Sequence, residues 1–245
     1  MTFRAGVGTI RKKRAPAGAW TGRGGDMLRV EKEGLLAERN IPFGLVEVWY
    51  PEPEAWDVEA LRALEETELA GLRERYADYD RKAVFGENPY VRFFKKFKKT
   101  YPVLMQFESF LLKGRPFPQV NPVTEVPFLA ELKTGCLMGT HDADAVRGTL
   151  RLFSGTEKAP FTGLRGEEVH TYPNDVCGRD DGGIIFSMIS GADDRTCAKT
   201  ESRHVFYPVF GTPDMPAEEI ARQQALVERY ALTLAPGARV ETQIV

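Results

Sequence analysis

Beginning at Asp57, the run DVEALRALEETELAGLRERYA places Val58, Leu61, Leu64, Leu69, Leu72 and Tyr76 at spacings that are mostly helical, with charged residues between them. Apolar positions three and four residues apart share one face of an α-helix. The pattern therefore predicts an amphipathic helix with Asp57 as its N-cap. In NPYVRFFKKFKKTYP, which follows, Phe93, Phe94 and Phe97 interleave with Arg92, Lys95, Lys96, Lys98 and Lys99. Two readings fit this stretch: a basic, aromatic helix that holds single-stranded RNA by stacking and phosphate contact, or a helix with its phenylalanines in the core and its lysines in water. YPVLMQFESFLLKG continues as a second helix, stopped by Gly114.

In the second half the period changes. GTLRLFSG, GGIIFSMISG and RHVFYPVFG are short, rich in β-branched or aromatic residues and bounded by glycine or proline, as is IPFGLVEVWYPEP nearer the N-terminus. Each predicts a strand. PAEEIARQQALVERYALTLAPG returns to helical spacing up to Leu234, with Pro216 at the first helical position and Gly237 past the end. The expected architecture is α/β in the α+β sense: mixed central β-structure flanked by helices, one domain over residues 27–245 closed by a C-terminal helix.

Composition adds limits. A chain of 245 residues with 42% hydrophobic content can bury a proper core. A net charge of −2 and a pI near 6.0 give no global attraction to nucleic acid, so any RNA contact needs a local patch. Cys136, Cys177 and Cys197 are odd in number and lack close pairing, which argues against a disulfide framework and a thiolate zinc knuckle. Their surroundings are apolar, and buried small hydrophobes are the expected role. No run approaches the roughly 18 apolar residues of a membrane span, and no apolar h-region follows the basic N-terminal residues. A cytoplasmic location is expected, with no membrane partner. Residues 1–26 begin with a glycine- and alanine-rich stretch carrying Arg4, Arg11, Lys12, Lys13, Arg14 and Arg23 and are expected to be a disordered basic extension, either an RNA-touching arm or a solvated tail, unless translation begins at Met27.

Candidate chemistry concentrates in GTHDADAVRG. His141, Asp142 and Asp144 carry donors that suit zinc, manganese or iron. Three ligands within four residues of a turn converge poorly on one ion, however, and the alternative is a turn in which Asp142 or Asp144 accepts backbone N–H groups to start a short helix. The chain has neither a G-x-S-x-G elbow nor a G-x-G-x-x-G opening a helix. Asp180-Asp181 and Asp193-Asp194, flanking GGIIFSMISG, read as solvated turn residues. Motifs alone call for no metal and no cofactor and name no activity.

The run GRPFPQVNPVTEVPFLAELKTGCLMGTHDADAVRG as a whole resembles the B3/B4 domain of the phenylalanyl-tRNA synthetase beta subunit, particularly in its freestanding form. The likeness takes in the basic helix from Arg92 to Lys113, the Val120-Asn121 pair, Leu132 to Met138, and the Gly-x-His-Asp turn at Gly139 to Asp142. It continues through Gly148-Thr149-Leu150, Gly166-Glu167 and GGIIFSMISGADDRTCAKTE, spanning roughly residues 85–212. The resemblance implies a mixed α/β fold and the removal of wrongly attached amino acids, chiefly tyrosine, by hydrolysis of their ester to tRNA. That ester is already activated, so positioning water and substrate suffices and no strong nucleophile is needed.

The chain departs from the family pattern at informative places. Pro127 stands where the synthetases have a threonine, Phe128 where they have an asparagine, and Gly139 where their editing histidine stands. No acid lies around Phe206 and Tyr207, where they carry a glutamate that reads the tyrosine hydroxyl. Removing such a partner removes most of the discrimination it gave. The resemblance makes tRNA or aminoacyl-tRNA the expected partner. It makes Thr140, His141 and Asp142 the candidate catalytic residues, with His141 as base or water-positioning group. Asn121, Glu125, Glu131, Ser187 and Ser190 are candidate ligand contacts, with Glu131 for an α-amino group. Lys113 and Arg115, then Arg92, Lys95, Lys96 and Lys98, are candidate RNA contacts. The rival readings are a non-catalytic RNA- or amino-acid-binding module and a metal-dependent hydrolase built on His141 and the aspartates.

Overall fold

A computed structural model describes residues 12–13, 25–213 and 215–245. The expected basic extension over 1–26 falls almost wholly outside these residues. Within them the chain forms β1 (Lys12–Lys13), β2 (Val30–Lys32), α1 (Gly34–Glu38), β3 (Phe43–Trp49), α2 (Val58–Arg75), α3 (Arg81–Phe85), α4 (Pro89–Lys96) and α5 (Pro102–Leu111). There follow α6 (Pro122–Thr134), β4 (His141–Asp142), β5 (Leu150–Ser154), β6 (Pro160–Thr162), β7 (Glu168–His170) and β8 (Val176–Asp180). The chain ends with β9 (Gly183–Ser187), β10 (Gly191–Ala192), β11 (His204–Phe210), α7 (Ala217–Leu234) and β12 (Arg239–Ile244). The fold is α+β.

Two five-stranded sheets are present, ordered β1-β12-β3-β11-β4 and β10-β9-β8-β5-β2, beside a small β6-β7 hairpin. The first sheet is antiparallel throughout; the second is antiparallel except where β2 runs parallel to β5. Every residue of β3 is buried. A half-exposed strand would alternate apolar and polar positions, so a run that is apolar except for Glu47, whose buried carboxylate meets His204 Nε2 at 2.6 Å, fits a strand covered on both faces. One face meets α7, so closely that a Cβ on Gly44 would sit 2.4 Å from Ile220 Cγ2. The other meets the second sheet, where Phe186 of β9 stacks on Phe43 at 6.1 Å and meets Phe210 edge-on at 5.2 Å. The first sheet thus lies between a helical layer and the second sheet.

Local rules account for most helix ends. Asp57 caps α2 by accepting from Ala60 N at 2.9 Å, as its position predicts. On α4, Phe93 and Phe94 are buried while Lys95 and Lys96 are exposed, the amphipathic alternative for that run. Pro216 is the N-cap of α7 rather than its first residue, a shift of one position. Asp180 and Asp193 correct the expectation of solvated turns. Asp180 is 5% exposed, with both oxygens held by Arg195, and Asp193 is 4% exposed, accepting from Thr196 N at 3.0 Å.

Candidate functional site

A cleft of about 370 Å³ opens between the helical layer and the edge of the first sheet. Helix α6 forms its floor with Thr124, Glu125, Pro127, Phe128 and Glu131. Segment 138–140 supplies Met138, Gly139 and Thr140 on one side; Gln106 of α5 and the loop residues Pro118 and Val120 supply the other. All three positions at which the chain departs from the synthetase pattern near α6, namely Pro127, Phe128 and Gly139, therefore line one cleft.

Its polar equipment is acidic. Glu131 accepts a hydrogen bond from Met138 N at 2.8 Å, and burial pushes its carboxyl up to about 8, with that single N–H only partly opposing the shift. Glu125 is 2% exposed on its side chain and shares the Arg62 guanidinium with Glu65, which Arg62 also holds at 2.7 Å. Desolvation likewise raises the Glu65 carboxyl, against the pull of Arg62, and Gln119 Nε2 donates to it at 3.3 Å. One cation is thus spent on two carboxylates, and Oε1 of Glu125 and Oε1 of Gln106 are buried without a hydrogen-bond partner.

Strand parity decides which candidates reach this cleft. Segment 138–142 runs along β11, bridged at Met138 to Val209 and paired from His141 to Phe206. Successive side chains along a strand alternate faces, so Thr140 lines the cleft while His141 turns toward the second sheet. There it is 1% exposed, stacked on Phe206 at 4.9 Å, with Nδ1 2.9 Å from Thr196 Oγ1. The Thr196 hydroxyl gives its proton to Asp193, so Nδ1–H of His141 is the donor in that bond. Burial holds its pKa down to about 3. Nε2 has no partner and faces Gly139, where an added Cβ would lie 3.3 Å from it and 3.0 Å from Pro208 Cγ. The imidazole of His141 and a side chain at position 139 thus compete for one space.

The other candidates scatter. Asp142 starts a 3-10 turn at Ala143–Ala145 by accepting from Asp144 N at 2.9 Å, and receives the Ser202 hydroxyl at 2.5 Å. Asp144 engages His204 Nδ1 at 2.8 Å. His141, Asp142 and Asp144 thus serve three different partners, and among the described residues no three or more His, Cys, Asp or Glu side chains come together as a metal ligand set. Asn121 caps α6 through Val123 N at 3.3 Å, between cleft residues Val120 and Thr124. Ser187 ends β9 and donates to Asp175 at 2.5 Å, while Ser190, in the turn between β9 and β10, donates to His170 O at 2.6 Å; neither lines the cleft. Arg92 pairs with Glu87 at 2.9 Å. Lys95, Lys96 and Lys98 are exposed around the end of α4, and Lys113 and Arg115 lie on the exposed loop that carries Pro118 and Val120.

Sequence reasoning did not single out Arg62, Glu65 or Gln106. Glu65 had left a signal: it falls on the stripe Leu61, Leu69, Leu72 that α2 buries, where a lone carboxylate needs a partner.

No curated protein matches this chain. Among solved structures, an N-terminal fragment of the phenylalanyl-tRNA synthetase beta-subunit from Pyrococcus horikoshii aligns with a TM-score of 0.45 and 11% identity, covering 86% of this chain and 50% of that one. The chain therefore spans about half the length of that fragment. No described helix is long and apolar enough to cross a membrane. The family model for the B3/4 domain matches residues 87–230, which include α4 to α6, segment 138–140 and most of α7. With more than half of its length matched, and the cleft's floor and sheet-side wall inside the match, the chain belongs to the B3/4 domain family.

Proposed function

We propose that this protein binds the aminoacyl ester of a tRNA in the cleft over α6 and hydrolyses it in trans. The observation that carries this reading is the cleft itself: about 370 Å³, with an apolar wall for one amino-acid side chain and buried carboxyls for its ammonium group. Pro127, Phe128 and Met138 supply the wall, with Val120 at the rim, and Glu131 takes the α-ammonium. No serine, cysteine or histidine lines the cleft among the described residues. The reaction then relies on positioning: water adds to the ester carbonyl, the bond to the ribose oxygen breaks, and that oxygen leaves with a proton. Thr140 is the hydroxyl that holds the water, since that of Thr124, also in the cleft, donates to Asn121 O at 2.8 Å. Lys113 and Arg115 on the cleft-forming loop, with Lys95, Lys96 and Lys98 of the α4 region, are the phosphate contacts in this reading.

The test is loss of ester from a panel of correctly and wrongly charged tRNAs, with wild type and Glu131→Gln. Selective deacylation at least tenfold slower in the variant is expected. Ester loss no faster than in buffer for every member would overturn the catalytic reading. The lack of a nucleophile in the cleft favours, as the second reading, a non-catalytic module that binds the same ligand.

A further inference from the structure

The donor and acceptor balance of the cleft is one-sided. Glu125 and Glu131 line it together with Gln106, and among the described residues no lysine, arginine or histidine does. Arg62, the cation that reaches Glu125 from behind, is divided between Glu65 and Glu125 and has no charge to spare. Glu125 keeps one oxygen buried without a partner, as does Gln106, and Glu131 has a single backbone donor in Met138 N. A buried acceptor without a donor is costly, and the cost is relieved by a ligand that brings N–H groups and positive charge. A ligand that brings a carboxylate beside its ammonium group meets the Glu125 carboxylate with no counter-charge to spare, and meets Glu131 as a second one once the ammonium group has displaced its proton.

We infer that the cleft is a charge filter, which accepts an α-ammonium compound whose carboxyl is blocked as an ester or amide and rejects the free amino acid. This rests on the cleft being the ligand site of the proposed function, and it extends that reading from what is held to what is excluded. A free amino acid carries the same ammonium and the same side chain, so only its carboxylate separates it from the ester. The filter has a consequence for turnover. Hydrolysis of the ester creates a carboxylate inside a site that repels it, so the product leaves without a conformational step, and the free amino acids of a cell do not occupy the cleft.

Calorimetric titration with four L-amino acid amides, of alanine, leucine, phenylalanine and tyrosine, against the corresponding free amino acids and N-acetylated amides, tests the filter without needing turnover. At least one amide should bind tenfold or more tighter than its free acid, a gap of roughly 1.4 kcal/mol, and N-acetylation should abolish its binding. Glu131→Gln should narrow the gap by weakening the amide. Val120→Lys adds a cation at a rim position that is 82% exposed, where the fold does not depend on it, and should bring the free acid in. Equal or tighter binding of the free acids, or no binding of any amide, would overturn the inference. Amide selectivity in a protein that deacylates no tRNA would leave the filter standing and remove only the catalytic reading.

Discussion

Glu131 concentrates the chemistry of the cleft in one carboxyl. Its folded pKa, about 8, lies well above the ordinary carboxylate value because burial disfavours the charged form. For a group raised in this way the folded state binds the extra proton. Its contribution to stability is complete below the unfolded pKa and is lost as pH rises through the folded value. Thermal unfolding of wild type should therefore lose stability between about pH 5 and pH 8 relative to Glu131→Gln, with a slope of up to about 1.4 kcal/mol per pH unit from this group. Asp175, raised to about 6 by its own burial, contributes to the same trend in both proteins and cancels in the difference at every pH. Parallel curves for the two proteins would mean that Glu131 ionises freely. A bound ammonium compound restores the charged form, so binding should release a proton near neutral pH.

At the scale of elements, α6 holds the least expected contact. Pro127 sits inside the helix and has no N–H for the carbonyl of Val123, four residues earlier. Tyr207 of β11 fills the gap: its hydroxyl donates to Val123 O at 2.8 Å and accepts from Tyr50 at 2.7 Å. Position 207 thus supports the cleft floor from behind rather than reading a ligand. Tyr207→Phe should cost about 1–3 kcal/mol in urea unfolding, the penalty of an unpaired buried carbonyl. Pro127→Ala returns an N–H to that carbonyl, so it should recover most of the loss in the Tyr207→Phe background and little in wild type. Strict additivity of the two changes would exclude the coupling. The same helix shows why the chain was only partly legible. Helices α2 and α7 declare themselves by a period repeated over a full run, and strands β3, β5, β9 and β11 by β-branched and aromatic residues between glycine or proline stops. Helix α6 is buried on most faces and carries an internal proline, so its apolar residues show no stripe. The cleft was harder still. Glu125 and Glu131 were named as ligand contacts, whereas His141, the most conspicuous residue of its turn, lies on the far side of the strand because parity along 138–142 is fixed only by pairing with β11.

For the whole molecule, layering sets what can face a partner. The first sheet is enclosed by helices on one side and the second sheet on the other, so a large ligand meets it only at its edge, through the loops and helix surfaces beside the cleft. Lys95, Lys96 and Lys98 lie exposed around the end of α4, and Lys113 and Arg115 are exposed on the loop beside the cleft. With a net charge of −2, attraction to RNA has to come from such local groups. Replacing Lys113 and Arg115 by glutamate should weaken tRNA binding and lower the salt dependence of log K by about one for each phosphate that the loop ceases to neutralise. The same exchange at Lys95, Lys96 and Lys98 separates the two patches: an unchanged salt slope there would confine the footprint to the loop. The central claim, that the cleft over α6 holds an aminoacyl ester, is tested most directly by methyl NMR of the protein titrated with 3′-aminoacylamino-3′-deoxyadenosine, an amide analogue of the tRNA end. Saturable shifts at Val120, Thr124, Met138 and Thr140, with Met188 and Ile189 of the second sheet unmoved, are the predicted result. Saturable shifts that spare these four residues, or no shifts with any analogue of the series, would contradict it.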